Sequence, residues 1–174
     1  ELLRFCVSPD RELTLDIGNK LPGKHIWVSA RKSCVAALQN SPEWHVPEDL
    51  SCRVAGLLSA RARNMLGLAR AAGKIVLGFA KVDAALSGGR ATMLVSACDG
   101  ARDGRAKLAR KAQAAGVPVI DFFSAEELGL AMGRQDVIHS AVIEAQWAAK
   151  IDEAAHRWQV YIGTVPSGQA GGQK

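Results

Sequence analysis

Between Leu68 and Arg134 segments of helical and extended character take turns, and glycines stand at the boundaries between them. No other feature constrains the fold as much, because an αβαβαβαβ order calls for a central sheet with helices on both faces. From Ser51 to Ala72 the apolar positions Val54, Leu57, Leu58, Met65, Leu68 and Ala72 run at helical spacing, with Arg53, Arg61, Arg63 and Arg70 between them, and Gly73 ends the helix. Ile75-Val76-Leu77 reads as a brief strand. Gly78 opens a helix from Phe79 to Ser87, closed by Gly88-Gly89. Ala91 to Ser96 is a continuous apolar run bounded by turn signals, which fits a strand covered on both faces. Asp99-Gly100 breaks it, Ala101 to Ala115 is the next helix, and Val117 to Phe122 is a further strand. Ser124 caps a helix with Glu127 at the capping-box position, and Val137 to Val142 supplies a last strand. The reading is therefore α/β, a three-layer α-β-α sandwich with a central mixed sheet over residues 51–143.

Ahead of it lies a smaller α+β unit, residues 1–40. Leu2 to Val7 and Leu13 to Asp16 read as two short strands joined by a turn at Pro9-Asp10, followed by a strand at His25 to Val28 and a helix from Ala30 to Leu38. A unit of about forty residues holds little core and is expected to lean on neighbouring structure. Residues 41–50, with Pro42 and Pro47 and no periodicity, are read as a linker that Trp44 anchors to a domain surface. An extra amphipathic helix follows over residues 144–163, with Trp147, Ile151 and Trp158 near one face. A Gly/Gln-rich tail over 164–174 is expected to be disordered.

Charge is unevenly spread along this plan. Ser51 to Ile143 carries thirteen Lys/Arg against seven Asp/Glu, or +6, whereas the whole chain is +5 and Glu1 to Leu50 is −1, six against seven. A cationic domain attracts polyanions by releasing their counterions, so nucleic acid, and RNA first, is the partner to consider. Enzyme chemistry finds little support. His25, His45, His139 and His156 are dispersed without a carboxylate or cysteine at ligand spacing and read as surface or capping residues. Cys6, Cys34, Cys52 and Cys98 form no C-x-x-C pair and read as reduced, buried thiols. The glycine loops at Ser87 to Arg90 and Asp99 to Arg105 lack a Gly-Lys-Ser/Thr ending and read as tight turns. No enzymatic activity, cofactor or metal is expected. No apolar run approaches the roughly 20 residues of a membrane span, so a cytoplasmic protein without a membrane partner is expected. Glu1 leads straight into a strand-like run, which suggests that the numbered chain begins inside a longer gene product.

The ordered set Leu66-Gly67-Leu68-Ala69-Arg70, Gly73-Lys74, the Gly78 turn, Thr92 to Ser96 near Asp99, Gly116-Val117-Pro118 and Leu128-Gly129 through Ala131 to Gly133-Arg134 resembles the kink-turn-binding ribosomal protein superfamily, which includes the bacterial YlxQ proteins. Members of that family carry, after the glycine of the RNA-contacting turn, an amide and a carboxylate that read base edges. At that turn this chain has Gly78-Phe79-Ala80-Lys81, so what the resemblance implies here is a helix N-terminus next to Lys74 and Lys81 that favours phosphate over base edges. Glu1 to Val7, Pro9-Asp10, Leu15-Asp16 and Leu21 to Val28 resemble the small bacterial nucleic-acid-binding YlxR family, with Lys24-His25 where that family usually has Arg-Gly. The tandem resembles a YlxR–YlxQ fusion, a type encoded beside transcription-elongation and translation-initiation genes.

The candidate RNA contacts are accordingly Arg4, Lys24, Trp27, Arg31 and Lys32 in the first unit, Arg70, Lys74, Gly78 and Lys81 around the second unit's turn, and Arg102, Arg105, Lys107, Arg110 and Lys111 along one helix. Trp27 either stacks on an unpaired base or belongs to the small core, and the cations of the helix either hold phosphate or form an ordinary solvated face. Two functions are expected to compete. One is a non-enzymatic bacterial binder of structured RNA, mainly through phosphate contacts; ribosomal RNA, ribonuclease P RNA and a nascent transcript are all compatible. The alternative is a protein-interaction adaptor of the transcription or translation machinery with weak or no RNA binding.

Overall fold

Leu2–Val7 (β1) lies at the centre of an antiparallel sheet, flanked by Leu13–Leu15 (β2) and Lys24–Ser29 (β3), in the computed structural model, which describes residues 1–164. The register sets Phe5 against both Leu15 and Ile26, and Leu3 against Val28. Alternation then sends Leu3, Phe5, Leu13 and Leu15 into one core and leaves Arg4 and Trp27 paired on the other face. A short helix, Lys32–Ala37 (α1), adds buried Val35, and a single 3₁₀ turn at Leu38–Asn40 follows it. Three strands and one helical turn cannot close such a core alone. Leu50, Val54 and Leu58 of the helix Leu50–Ala71 (α2) and Tyr161 of the last helix, Ala145–Ile162 (α6), complete it, and Trp44 and Trp158 pack at its edge. The Tyr161 hydroxyl donates to the Ser51 carbonyl at 3.0 Å, which satisfies the one polar atom of that buried ring. Among the described residues this compact unit comprises Glu1–Arg61 and residues 154–164.

The second unit, Ala62–Glu153, is built on a four-stranded sheet. Its strands are Ile75–Leu77 (β4), Met93–Ser96 (β5), Val119–Ile120 (β6) and His139–Val142 (β7), in the order β4-β7-β5-β6. The β4–β7 and β5–β7 pairs are antiparallel and β5–β6 is parallel, so the sheet is mixed. All four residues of β5 and of β7 are buried, as strands covered on both faces must be. On one face Leu94 and Ala141 join Val82, Ala85 and Leu86 of Phe79–Ser87 (α3) and Leu108 and Ala112 of Arg102–Ala114 (α4). Residues of the opposite face, Ile75, Met93, Val95 and Val142, are equally buried, as are Leu66 and Ala69 of α2 and Leu128 and Met132 of Ala125–Met132 (α5). The α/β reading therefore holds, with the small antiparallel sheet first and the mixed sheet second.

Three local expectations change. The buried stripe of α2 runs through Val54, Leu58, Ala62, Leu66 and Ala69, while Leu57 and Leu68 are 46% and 52% exposed. Small residues let the second half of α2 approach α5 closely: a Cβ built on Gly67 would stand 2.6 Å from the Ala131 carbonyl oxygen. The strand expected from Val117 to Phe122 shrinks to Val119–Ile120, because it lies at the sheet edge and Pro118 has no N–H to donate. All four cysteines are free, but only Cys6 is buried, and Cys52 and Cys98 are exposed. Both sit where the chain faces solvent, at the start of α2 and just past β5. Apart from Thr164, the tail expected over 164–174 lies outside the described residues. Among the described residues no helix is long and apolar enough to cross a membrane.

Candidate nucleic-acid interface

Gly78 joins β4 to α3 with φ 92° and ψ 148°, a conformation that essentially only glycine adopts without strain. Its N–H donates to the His139 carbonyl at 2.9 Å and its carbonyl accepts the Val82 N–H at 3.0 Å. The turn is thus fixed at both ends while the cap position carries no side chain. The first turn of α3 contains no acidic residue, so its unpaired N–H groups meet solvent beside Lys81.

Strand order then brings a distant segment to this turn. Because β7 pairs directly with β4, with Leu77 opposite Ser140, the loop from Gly133 to Ile138 arrives next to Gly78. Gly133, in the left-handed region at φ 64°, ends α5 and starts that loop. The Val137 N–H donates to the Ala125 carbonyl at 3.1 Å and Val137 is buried, which fixes the loop's far end. Between turn and loop is an open groove of about 580 Å³. Arg70, Lys81 and Arg134 line it with three cations, Phe79 and Ile138 with exposed apolar surface, and Asp136 with a carboxylate.

His139 also borders the groove, but at 7% exposure it is buried rather than a surface or capping residue. The paired strand β7 draws it under α3 and α4. Its Nδ1 lies 3.2 Å from Ser96 Oγ, its ring meets Phe79 edge-on at 5.8 Å between centroids, and the missing side chain of Gly104 leaves room for Nε2. Burial, and secondarily the Arg105 guanidinium, hold its pKa below the usual value of 6.5. A neutral ring here supports Phe79 from below.

Residues 60–152, more than half of the sequence, match the sequence profile of the Ribosomal protein L7Ae/L30e/S12e/Gadd45 family. The chain belongs to this family. The matched L7Ae/L30e/S12e/Gadd45 segment begins in α2 and ends in α6, and so includes the whole mixed sheet, the Gly78 turn and the Gly133 to Ile138 loop. Among solved structures, a protein with unknown function from Bacillus halodurans C is similar at 25% identity and a TM-score of 0.54, over 56% of this chain and 98% of that one. The Giardia lamblia 15.5kD RNA binding protein is similar at 19% identity and a TM-score of 0.49, over 59% of this chain and 88% of that one. No curated protein matches the sequence.

Within the L7Ae/L30e/S12e/Gadd45 segment, Arg70, Gly78 and Lys81 meet at the groove, but Lys74 does not line it. Lys74 precedes β4, at the opposite end of that strand from Gly78, and its Nζ is 2.7 Å from Glu144. Along α4, Lys107 stands 5.4 Å over the ring of Phe79, which itself lines the groove. Lys111 is engaged by Asp83 at 2.6 Å and by Ser87, and the same contact holds the Asp83 pKa below its ordinary value against a smaller opposing effect of burial. Arg105 donates to the Cys98 carbonyl at 2.6 Å and faces Asp121, whereas Arg102 and Arg110 are exposed. Arg134, Asp136 and Ile138 were missed as site residues. Their place at the groove follows from the insertion of β7 beside β4; Gly133-Arg134 stood in the pattern that carries the family resemblance, but nothing local tied it to the Gly78 turn.

In the first unit the candidate residues are more dispersed. Arg4 is turned to internal work, with Nε 3.2 Å from buried Asp16 and Nη2 donating to the Leu21 carbonyl at 3.0 Å. Burial would raise the Asp16 pKa, but the N–H groups of Lys20 and Leu21, with Arg4, outweigh it and hold the carboxyl below its ordinary value. Lys24 lies over the Trp44 ring at 5.4 Å. Trp27, at 57% exposure, is a surface ring rather than core, and Arg31 and Lys32 are exposed at the start of α1.

Proposed function

We propose that this chain is a non-enzymatic RNA-binding protein that holds structured RNA mainly through phosphates, at the groove between the Gly78 turn and the Gly133 to Ile138 loop, in the service of transcription, translation or RNA processing. The observation that carries this reading is the convergence of Arg70, Lys81 and Arg134 on an open groove at a helix N-terminus. Membership of the L7Ae/L30e/S12e/Gadd45 family supports it. Ala80 and Lys81 occupy the positions where the kink-turn binders that the sequence resembles carry an amide and a carboxylate, which favours phosphate over their mode of base reading. Ribosomal RNA, ribonuclease P RNA and a nascent transcript are each compatible ligands. The YlxR-like first unit adds a second contact through exposed Trp27, Arg31 and Lys32.

An adaptor of the transcription or translation machinery is the competing reading, favoured by Leu130, 74% exposed on α5. Salt separates the two. For ribosomal RNA hairpins titrated from about 50 to about 200 mM salt, three phosphate contacts give a slope of roughly −2 to −3 in log affinity against log salt. Lys81→Ala should flatten that slope by about one. No measurable affinity for RNA in the wild type would leave the adaptor reading standing.

A further inference from the structure

The four-stranded sheet ends at β6, whose outer side has no partner strand among the described residues. The Leu94 N–H donates to the Pro118 carbonyl at 2.9 Å, and Leu94 pairs with Val119 in parallel register. That pattern turns the backbone of Pro118 and Ile120 toward β5 and the backbone of Val119 and Asp121 outward. The N–H that proline lacks is therefore on the inner side and does nothing to protect the open edge. Neither the Val119 nor the Asp121 N–H finds an acceptor among the described residues.

Beside this edge lies a second groove, of about 260 Å³, with Arg102, Arg105, Ala106 and Ala109 of α4 on one wall and Val119 and Asp121 on the other. Leu94 is buried under α3 and α4 while its neighbour Val119 is 40% exposed, so the helices stop short of β6. As the crossover between two parallel strands, α4 runs back against their direction. Its arginines accordingly lie by Asp121, which Arg105 faces at 3.5 Å, and its small alanines by Val119. Arg105 Nε is buried without a hydrogen-bond partner, a donor in want of an acceptor.

We propose that this edge docks an extended acidic segment of a partner protein, which adds a fifth strand beside β6. Alternate side chains of a strand share a face. The segment must then set an apolar residue beside Val119, against Ala106 and Ala109, and an aspartate or glutamate two residues away, against Arg102 and Arg105. Arg105 already offsets Asp121, so exposed Arg102 is left to meet the incoming charge, while the segment's main chain takes up the outward N–H groups. Nucleic acid offers phosphate to the arginines but not the alternating donors and acceptors that a sheet edge pairs with. The site is separate from the Gly78 groove and does not depend on the RNA reading.

The test uses the full chain and fluorescein-labelled eight-residue threonine peptides in which one valine and one glutamate stand two residues apart, in both orders, with lysine in place of glutamate as controls. Fluorescence polarisation should show a glutamate peptide binding at least about ten-fold more tightly than its lysine control, and Arg102→Glu should reverse that order. Val119→Pro removes an outward N–H without touching a bond to β5, and with unchanged circular dichroism it should weaken the glutamate peptide by about ten-fold or more. Independently of any variant, that peptide should shift the Val119 and Asp121 amide signals in NMR spectra and slow their hydrogen exchange, with Gly78 unaffected. Glutamate and lysine peptides that bind alike, or fail to bind at millimolar concentration, would overturn the proposal. So would a uridine oligonucleotide that binds in place of the peptides through Arg102 and shifts neither amide, or a dimer in light scattering that Val119→Pro dissolves, which would give the edge to a second copy of the chain.

Discussion

His139 shows how one side chain couples the groove to stability. Its ring is 7% exposed, wedged against Phe79 and Gly104, and its pKa lies below 6.5 because burial disfavours the charged form. In the unfolded chain the same imidazole takes up a proton at about 6.5. Below that pH the unfolded state binds more protons than the folded one, so stability is full above it and falls as the solution is acidified toward the lowered folded-state pKa. Urea unfolding of wild type should show a loss of stability between about pH 7.5 and about pH 5.5, and His139→Gln should show a smaller one. An identical pH dependence in both proteins would mean that His139 is not the group responsible. The sequence showed this residue only as an isolated histidine. That it is buried follows from the pairing of Ser96 with His139 across β5 and β7, a contact between residues far apart in the chain.

At the scale of elements, local signals survive and non-local ones do not. Ser124 and Glu127 form the capping box that their spacing implies, with the Glu127 N–H donating to Ser124 Oγ at 3.1 Å and the Ser124 N–H donating to the Glu127 carboxylate at 3.0 Å. Every bond in that motif lies within one helical turn, so four residues suffice to read it. The face of α2 is different. Its apolar residues exceed what a single stripe can bury, and the choice of Ala62, Leu66 and Ala69 over Leu57 and Leu68 is made by the neighbouring helix. Gly67 is the residue that permits this approach, because a Cβ there would meet the Ala131 backbone oxygen at 2.6 Å. Gly67→Ala should therefore destabilise the protein by about 1–3 kcal/mol as an overpacked contact. Gly56→Ala on the same helix, with nothing within 4 Å of the added carbon, should stabilise it by about 0.5–1 kcal/mol. Chemical denaturation of the two variants measures both; a Gly67→Ala protein as stable as wild type would show that α2 and α5 can separate without cost.

At the scale of the whole molecule, the fold follows from the alternation of elements while the site follows from strand order, and only the first is written locally. Gly78 and Lys81 announce themselves as a glycine turn followed by a basic helix start, and Arg70 as a cation on the preceding helix. Arg134 and Asp136 lie more than fifty residues away in sequence and reach the groove only because the last strand is inserted between β4 and β5. Lys74, next to the same turn in sequence, is carried to the other end of β4 and toward Glu144. Charge tells the same story, since the +6 of residues 51–143 says that a polyanion is attracted but not where it sits. The most direct measurement is crosslinking of the full chain to RNA in cells, with sequencing of what is recovered, for wild type and for an Arg70→Glu/Lys81→Glu variant whose circular dichroism matches wild type. A structured RNA enriched by wild type and lost by the variant is the expected result; recovery at background from both proteins would contradict the assignment of this groove to RNA.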